Sequence, residues 1–212
     1  MIKVLIADDH SVVRSGIKQI LSEESDMKVT GEARNSQEVI EKISKDKFDV
    51  LVLDITMPGK SGLEVLNDIK KIQPNTPILI LSMHPEEQFA IRALRSGASG
   101  YLTKDGAPEE LVIAIRKING GGKYISESLA EVLAFDLEER GKGRIVPHEN
   151  LSDREFQVMC MIAAGKSVKE IAKELFLSVK TISTYRARIL EKMKMKSNSE
   201  LTYYAIQNKL IG

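Results

Sequence analysis

The sequence predicts a doubly wound α/β domain with a five-stranded parallel sheet, followed by a second, smaller all-α domain. Two observations favour this fold class. Short apolar runs alternate with stretches of helical periodicity over residues 1–120, which is the pattern of a parallel sheet covered by helices on both faces. Residues 151–212 contain helical patterns and no strand signal. We therefore expect an α/β domain over residues 1–122, a linker with a helix over residues 123–146, and an all-α domain over residues 147–212.

Five short runs in the first domain are predicted to be strands, because each is rich in β-branched residues or leucine and is bounded by turn residues. Between the runs, apolar residues recur at helical spacing, as at Val13, Ile17, Ile20 and Leu21. The sequence NGGGK marks the end of this alternation. In chain order, the predicted strands are KVLIA, MKVTGEA, DVLVLD, PILILS and SGYLT.

The linker and the C-terminal domain are predicted from a change of pattern. The stretch SESLAEVLAFDLEER favours a helix, and GKGRIVPHEN after it combines glycine, proline and charge, as linkers do. Ser152, with Glu155 three residues later, predicts a capping box at the next helix. Four helices are expected over DREFQVMCMIAA, VKEIAKEL, VKTISTYRARILEKM and SELTYYAIQNKL.

Composition and charge favour an intracellular protein with a polyanionic partner. Hydrophobic residues make up 42% of the chain, which is enough for ordinary cores. The sequence shows no bilayer-spanning apolar run and no signal-peptide pattern, and the single cysteine, Cys160, excludes an intramolecular disulfide framework. We expect a soluble, cytoplasmic protein without membrane association. Residues 151–212 carry 11 Lys and Arg against 6 Asp and Glu, a net charge of +5 within a chain of net charge +1.

The ends of the predicted strands carry residues that suit phosphoryl chemistry. Asp8 and Asp9 follow the first strand, Asp54 the third, Ser82 ends the fourth, and Lys104 lies just beyond the fifth. The carboxyl ends of parallel strands meet at one edge of a sheet, so we expect these side chains to converge. Clustered carboxylates repel one another unless a cation joins them, and their hard oxygen atoms suit Mg²⁺. An ammonium group and a hydroxyl can then hold an incoming anion, so the set predicts a site for phosphoryl transfer.

Four motifs occur in an order that is specific to receiver domains: ADDH, LDITMPGKSG, the LS before Met83, and YLTKD. Together with AAGKSVKEIAKELFLSVKTISTYRARILEKMKMKS, they cover nearly the whole chain. The sequence resembles the bacterial two-component response regulators of the NarL/FixJ class. The resemblance implies a flavodoxin-like receiver over about residues 1–120 and a LuxR-type helix-turn-helix over about residues 147–212. It also implies a transcription factor that a sensor histidine kinase phosphorylates and that then forms a homodimer on double-stranded DNA.

The resemblance implies a role for each residue at the phosphoacceptor site. Asp54 would accept the phosphoryl group and Lys104 would pair with it. Ser82 would close on the phosphoryl group as the switch hydroxyl, and Tyr101 would change rotamer with the switch. The sequence departs from many receivers at Asp105, where a proline usually follows the lysine in a cis peptide. A cis bond without proline costs about 3–4 kcal/mol, so the Lys104–Asp105 geometry stays open at this point.

The resemblance also implies a Mg²⁺ site. Asp9 and Asp54, together with the backbone carbonyl of Thr56, would ligate the ion, and Asp8 would support it through water. The alternative of an aspartyl-phosphate phosphohydrolase would need a second aspartate where Thr56 stands. We therefore expect a regulator with at most slow autodephosphorylation rather than a turnover enzyme. Another alternative, a constitutive DNA-binding protein whose receiver only binds other proteins, would leave the acidic and lysine set unused.

The third predicted C-terminal helix is the candidate recognition helix, and Ser178 begins it. Ile182, Ile189 and Met193 form its apolar stripe. A small, basic and hydroxyl-bearing face opposite that stripe suits the major groove, whereas the alternative is a merely solvated helix face. Many family members carry basic residues at two of the outward positions and a histidine where Tyr185 stands, so the target sequence stays open. The candidate DNA contacts are Lys180, Ser183, Thr184, Ala187 and Arg188.

Overall fold

The computed structural model describes residues 1–141, 146–208 and 210–211. Contacts between residues divide the chain into two compact units, Met1–Glu131 and Val132–Gly212. This division falls inside the segment predicted as a linker, because its first residues pack on the first unit. Tyr124 is buried there, and Leu129 has no exposed surface.

The first unit alternates five strands with five helices, as the sequence predicts. The strands are β1 (Ile2–Ala7), β2 (Met27–Ala33), β3 (Val50–Leu53), β4 (Ile78–Ser82) and β5 (Gly100–Thr103). The helices are α1 (Ser11–Ser22), α2 (Ser36–Lys45), α3 (Gly62–Ile72), α4 (Glu86–Arg95) and α5 (Ala107–Asn119).

The five strands form one parallel sheet in the order β2-β1-β3-β4-β5. This order confirms the doubly wound, flavodoxin-like class. The chain leaves β1 toward β2 on one side and returns to β3 on the other, so the strand order reverses between β1 and β3. Ligands of open parallel sheets bind outside the carboxyl ends of the strands at this reversal.

The core of the first unit lies on both faces of the central strands. Val50, Leu51, Val52 and Leu53 are all buried, as expected for a strand covered by helices on both sides. A fully buried aliphatic side chain of this kind stabilises the fold by about 1.5–3 kcal/mol. This rigid centre fixes the residues that follow β1 and β3.

A glycine brings α3 close to the end of β3. A Cβ atom on Gly62 would collide with the backbone of Asp54 and Ile55. The helix starts there because Ser61 and Glu64 form a capping box, in which Ser61 accepts from the Glu64 amide. The loop between β3 and α3 is therefore held tightly at both ends.

The second unit is helical throughout its described elements. The long helix α6 (Glu127–Gly141) begins in the first unit, and residues 142–145 of the predicted linker lie outside the described residues. A short 3-10 helix spans Pro147–Asn150. The remaining helices are α7 (Asp153–Ala163), α8 (Val168–Glu174), α9 (Val179–Met193) and α10 (Asn198–Gln207).

Serine caps set the starts of these helices. Ser152 with Glu155 and Ser167 with Glu170 form capping boxes at α7 and α8. Ser178 accepts from the Thr181 amide at the start of α9. The predicted capping box at Ser152 is thus confirmed. Among the described helices, none combines the length and the hydropathy that crossing a bilayer requires.

Candidate functional site

Buried carboxylates gather at the carboxyl edge of the sheet. Asp8 follows β1 and is 1% exposed, and Asp54 follows β3 and is 2% exposed. Their backbones are fixed by the sheet, because the amide of Asp54 donates to the carbonyl of Ala7. Asp9 is half-buried beside them. Ligand atoms of Asp8, Asp9, His10 and Asp54 all lie within 4.8 Å of one another, so the predicted convergence occurs.

Lys104 lies between two of these carboxylates. Its Nζ atom is 2.7 Å from Asp8 Oδ2 and 2.8 Å from Asp54 Oδ2. The strand pairing places it there, since the Lys104 amide donates to the carbonyl of Ser82. Burial alone would lower the pKa of Lys104, but the two carboxylates outweigh burial and raise it. The Lys104–Asp105 peptide bond is trans.

Burial raises the pKa of the Asp54 carboxyl above its ordinary value. Lys104 opposes this rise by its positive charge, while the negative charge of Asp8 adds to it. The Thr56 amide donates to Asp54 Oδ1 at 3.0 Å and stabilises the ionised form. The surroundings of Asp54 therefore compensate the charge of its ionised form only in part.

The site suits a hard divalent cation by charge and by donor type. The three carboxylates of Asp8, Asp9 and Asp54 with one ammonium of Lys104 give a formal charge of −2. Carboxylate oxygens are the ligands that Mg²⁺ prefers in proteins. His10, which the sequence analysis did not select, adds a ring nitrogen 3.0 Å from Asp9 Oδ1 and 3.2 Å from Asp8 Oδ1. The acidic cluster thus has the donor atoms and the charge for one such ion.

Ser82 and Tyr101 lie beside this cluster and have no exposed surface. Both are tied to the loop between β4 and α4 through His84. The His84 amide donates to Ser82 Oγ at 3.0 Å, and the Tyr101 hydroxyl donates to the His84 carbonyl at 2.8 Å. Burial raises the pKa of the Tyr101 phenol, so the hydroxyl stays a donor at neutral pH.

Two residues that the sequence analysis missed support the site from outside. His84 Nε2 lies 3.4 Å from Thr56 Oγ1 and so bridges the loops after β3 and β4. Arg14 is buried and donates to the carbonyl of Asp8 at 2.8 Å and to Glu32 at 3.1 Å. Their only sequence signal is proximity to the motifs, because each contact depends on how separate elements pack.

In the second unit, α9 presents the predicted polar face. Ile182, Ile189 and Met193 are buried against the domain, which confirms the predicted stripe. The hydroxyls of Ser183 and Thr184 donate to helix carbonyls four residues earlier, at 2.9 Å and 3.0 Å. The five candidate DNA contacts are all exposed: Lys180, Ser183, Thr184, Ala187 and Arg188.

Comparisons with known proteins match both parts of the chain. Residues 4–116 match the response regulator receiver domain family, and residues 149–205 match the bacterial regulatory proteins of the luxR family. The chain is a response regulator. This response regulator is 38% identical to the response regulator UvrY of Escherichia coli over 210 residues, which cover 99% of this chain and 96% of that one. It is equally 38% identical to the oxygen regulatory protein NreC of Staphylococcus epidermidis over 99% of both chains.

Solved structures of RcsB match this response regulator over nearly the whole chain. RcsB of Salmonella enterica serovar Typhimurium, bound to a promoter in the presence of a phosphomimetic, is 30% identical with a TM-score of 0.65. That comparison covers 96% of this chain and 97% of the RcsB chain. A second RcsB–DNA complex is 29% identical, covers 100% of this chain and 99% of that chain, and has a TM-score of 0.60. The response regulator thus belongs to the NarL/FixJ class, with a receiver and a LuxR-type DNA-binding domain.

Proposed function

We propose that a sensor histidine kinase phosphorylates this response regulator on Asp54, and that the phosphorylated chain dimerises on specific DNA sites to control transcription. The observation that carries the proposal is the buried charge cluster at the sheet edge. There, one lysine ammonium lies within 2.8 Å of the candidate phosphoacceptor and within 2.7 Å of a second carboxylate. Both proposed partners, the kinase and chromosomal DNA, support a cytoplasmic location as part of the proposal.

Phosphoryl transfer needs a nucleophile and compensation of the phosphoryl charge. An oxygen of the Asp54 carboxylate attacks phosphorus, and the bond from phosphorus to the kinase histidine breaks, leaving the imidazole. Lys104 Nζ is already at hydrogen-bond distance from Asp54 Oδ2 and donates to a phosphoryl oxygen of the product. When bound, Mg²⁺ would neutralise charge on the phosphoryl oxygens.

The proposed ligands of that ion are the carboxylates of Asp9 and Asp54 and the carbonyl of Thr56, with Asp8 acting through water. The amide of Thr56 already faces Asp54, which fixes this loop against the acidic cluster. Asp8 is held in place by Lys104 and by His10, whose amide donates to Asp8 Oδ1 at 2.8 Å. The same surroundings leave the phosphoryl group open to slow hydrolysis by water, which we propose as the route of autodephosphorylation.

Ser82 and Tyr101 are proposed to carry the state of Asp54 to the rest of the receiver. The hydroxyl of Ser82 would turn to the phosphoryl group, and the hydrogen bond from Tyr101 to the His84 carbonyl would hold the loop that follows. This loop leads directly into α4, so the change would reshape the face formed by α4 and β5. That face is the proposed source of the signal for dimerisation.

The recognition helix α9 is proposed to enter the major groove of the target site. Its polar face is basic, lies opposite the buried stripe and follows the turn from α8. Lys180 and Arg188 would contact phosphates or, for Arg188, a guanine, while Ser183, Thr184 and Ala187 would face base edges. RcsB has been solved as dimers bound to DNA, and we extend that mode of assembly to this chain as part of the proposal.

Treatment with acetyl phosphate and Mg²⁺ tests the phosphoacceptor. We expect intact-mass measurement to show one added phosphoryl group, stable in acid and labile in base, since Asp54 is buried, contacts Lys104 and accepts from the Thr56 amide. Asp54→Asn should abolish the added mass. The matched control is Asp105→Asn, an exposed neighbour of Lys104, which should be labelled like the wild type. Full labelling of Asp54→Asn would refute the assignment.

A further inference from the structure

Glu86 is a buried carboxylate that the proposed phosphoryl chemistry does not use. It is the first residue of α4 and is 7% exposed. Burying a carboxylate is costly unless it receives hydrogen bonds. Its donors come from the segment before and within the first turn of α6, where Ser126 Oγ lies 2.7 Å and 2.8 Å from the two carboxylate oxygens. Ser128 Oγ also donates to Glu86 Oε2.

Ser126 also caps the start of α6. Its hydroxyl oxygen accepts from the Leu129 amide at 3.0 Å, and its carbonyl accepts from the Ala130 amide. Ser126 is therefore the cap at which α6 starts. Because the capping hydroxyl also donates to Glu86, the start of α6 and the start of α4 share one hydrogen-bonded group.

The rest of this segment is attached to other parts of the receiver. The Tyr124 amide donates to the Ser99 carbonyl, and its hydroxyl donates to Glu110 on α5. Lys123 Nζ donates to the Ala98 carbonyl. These anchors hold the chain to the residues just before β5 and to α5, whereas the serine contacts join it to the first turn of α4.

The first turn of α4 is four residues from the switch serine. Ser82 Oγ accepts from the His84 amide, and Pro85, with its fixed ring, stands between His84 and Glu86. A movement of Ser82 toward a phosphoryl group would pull on this short connection. Glu86 is the point at which that movement would reach α6.

We propose that Glu86, Ser126 and Ser128 form a clasp that couples the position of α4 to the start of α6, so that phosphorylation changes the hold of the receiver on the helix leading to the DNA-binding domain. The clasp rests on the proposed phosphorylation of Asp54. Its three residues lie at the start of α4 and at the start of α6. Its role is that of a relay, since none of its three residues contacts the phosphoacceptor.

Two substitutions change the hydrogen bonds to Glu86 and keep the side-chain cap at the start of α6. Ser128→Ala removes one donor to Glu86 and leaves the Ser126 cap intact. Ser126→Asp keeps a capping oxygen for the Leu129 amide, since aspartate caps helices as well as serine does, but it places a second carboxylate against Glu86. Glu87→Gln is the matched control, because Glu87 is the exposed neighbour of Glu86 in the same turn.

The experiment is hydrogen exchange by mass spectrometry on the full chain, with and without acetyl phosphate and Mg²⁺. In the wild type and in Glu87→Gln, phosphorylation should change exchange of the amides over residues 127–133. In Ser126→Asp these amides should exchange about tenfold faster without phosphorylation and should no longer respond to it, with Ser128→Ala in between. The affinity for DNA should follow the same order, measured on a duplex selected from a random pool. The factor by which phosphorylation raises this affinity should be largest in the wild type and in Glu87→Gln, smaller in Ser128→Ala and smallest in Ser126→Asp.

Intact mass recorded in parallel distinguishes the two proposals. A wild-type chain that takes no phosphoryl group at Asp54 would overturn the proposed function and the relay with it. A chain that is phosphorylated, but whose amides over residues 127–133 respond alike in wild type and Ser126→Asp, would overturn the clasp alone.

Discussion

Lys104 and the buried carboxylates of Asp8 and Asp54 depend on one another. Each of these side chains is at most 7% exposed, so bulk water screens their charges only weakly. Two carboxylates at this distance cannot both stay ionised at low cost without a cation, and Lys104 supplies one positive charge for the two. The remaining negative charge is what would attract a divalent ion to the site.

Asp9 offers the cleanest substitution in this cluster, because it is only half-buried and has no ion pair with Lys104 among the described contacts. We expect Asp9→Ala to weaken Mg²⁺ binding by about tenfold to a hundredfold or more, since even the loss of an outer ligand contact costs that much. Phosphorylation by acetyl phosphate should weaken in parallel. Thermal unfolding at increasing Mg²⁺ concentration measures the affinity through the ion's stabilisation of the folded state.

The apo fold should lose no stability in Asp9→Ala, because the substitution removes a like charge from the cluster. The control is Asp49→Ala, which changes an exposed aspartate just before β3, at the opposite end of the strand from Asp54. Its Mg²⁺ titration should match that of the wild type. A normal Mg²⁺ titration in Asp9→Ala would show that the Asp8–Asp9 pair is only a turn.

At this scale, the sequence predicted the residues whose position follows from a strand end. Asp54 and Lys104 converge because parallel strands share one edge, and that geometry needs no knowledge of side-chain packing. Arg14 and His84 could not be predicted in the same way. Arg14, in α1, donates to the carbonyl of Asp8, and His84, in the loop after β4, lies next to Thr56 in the loop after β3. Both contacts exist only once the elements are packed.

Among the helices, α9 shows how the backbone limits what a side chain offers to DNA. The Thr184 hydroxyl donates to the Lys180 carbonyl, so its methyl group and a lone pair are left for a base edge. We expect Thr184→Ala to relax the preference at one base pair by about 1–3 kcal/mol. Thr184→Val, which keeps the methyl group, should retain most of that preference if the partner is a thymine methyl. Binding titrations on the best site and on single-base variants measure it.

Lys180 is the counterpart on the same face, since long cations mainly contact phosphates. Lys180→Ala should weaken binding almost equally on all sequences and reduce the salt slope by about one unit. If Lys180→Ala changed the base preference and Thr184→Ala did not, α9 would sit in the groove with a different rotation.

The ion pair between α7 and α9 is expected to make the second unit sensitive to acid. Glu155 is 4% exposed at its side chain and lies 2.6 Å from Lys192. Burial alone would raise the pKa of Glu155, but Lys192 and the Ser152 amide outweigh burial and hold it below its ordinary value of 4.5. A lowered carboxyl pKa stabilises the fold above the unfolded value, and this stabilisation is lost as the pH falls through the folded pKa.

We therefore expect Glu155→Gln to lower the free energy of unfolding near neutral pH by about 1–3 kcal/mol. The difference from wild type should begin to shrink below about pH 4.5, where the unfolded chain takes up a proton at this carboxyl. It should be gone once the pH has fallen through the lower folded pKa, where the carboxyl loses its pair with Lys192. Urea unfolding at several pH values measures it. The control, Glu191→Gln, changes an exposed carboxylate on α9, and an equal loss in both variants would rule out a special role for Glu155.

The helix starts were the most predictable feature of the elements, because their signals are local. The capping boxes at α7 and α8 follow from a serine and a glutamate three residues apart. The position at which α6 starts was predictable, but its hydrogen bonds to Glu86 at the start of α4 were not. Ser126 caps α6 and also donates to Glu86, a residue forty positions earlier in the chain, and no spacing rule connects the two.

At the scale of the whole molecule, the sequence predicted the class of the first domain better than the point at which the chain divides into two units. The strand order β2-β1-β3-β4-β5 is one of the orders that alternating strands and helices with right-handed crossovers allow. The division of the described chain at Glu131 was not predictable, because it depends on Tyr124 and Leu129 packing onto the first unit. From its composition, this segment was predicted to be a linker with a helix over residues 123–146.

For the proposed homodimer, α10 offers a candidate surface. Leu201 and Ala205 are buried and hold this helix in the domain, while Tyr203 is 65% exposed and Ile206 is 59% exposed. Residues three apart are neighbours on a helix surface, so the exposed pair forms one apolar patch. Isolated patches of this kind on otherwise polar helices often mark association surfaces.

Ile206→Asp should therefore weaken the dimer of the phosphorylated full chain by about tenfold or more, because a central apolar contact would be replaced by a charge that must be desolvated. Sedimentation velocity over a concentration series, with acetyl phosphate and Mg²⁺ present, measures the dissociation constant. The matched control is Ile72→Asp, since Ile72 is a partly exposed isoleucine at the end of α3, and this variant should dimerise like the wild type. Because Ile206 is exposed, the monomer of the variant should keep its melting temperature, and an unchanged dimer would place the association surface elsewhere on the chain.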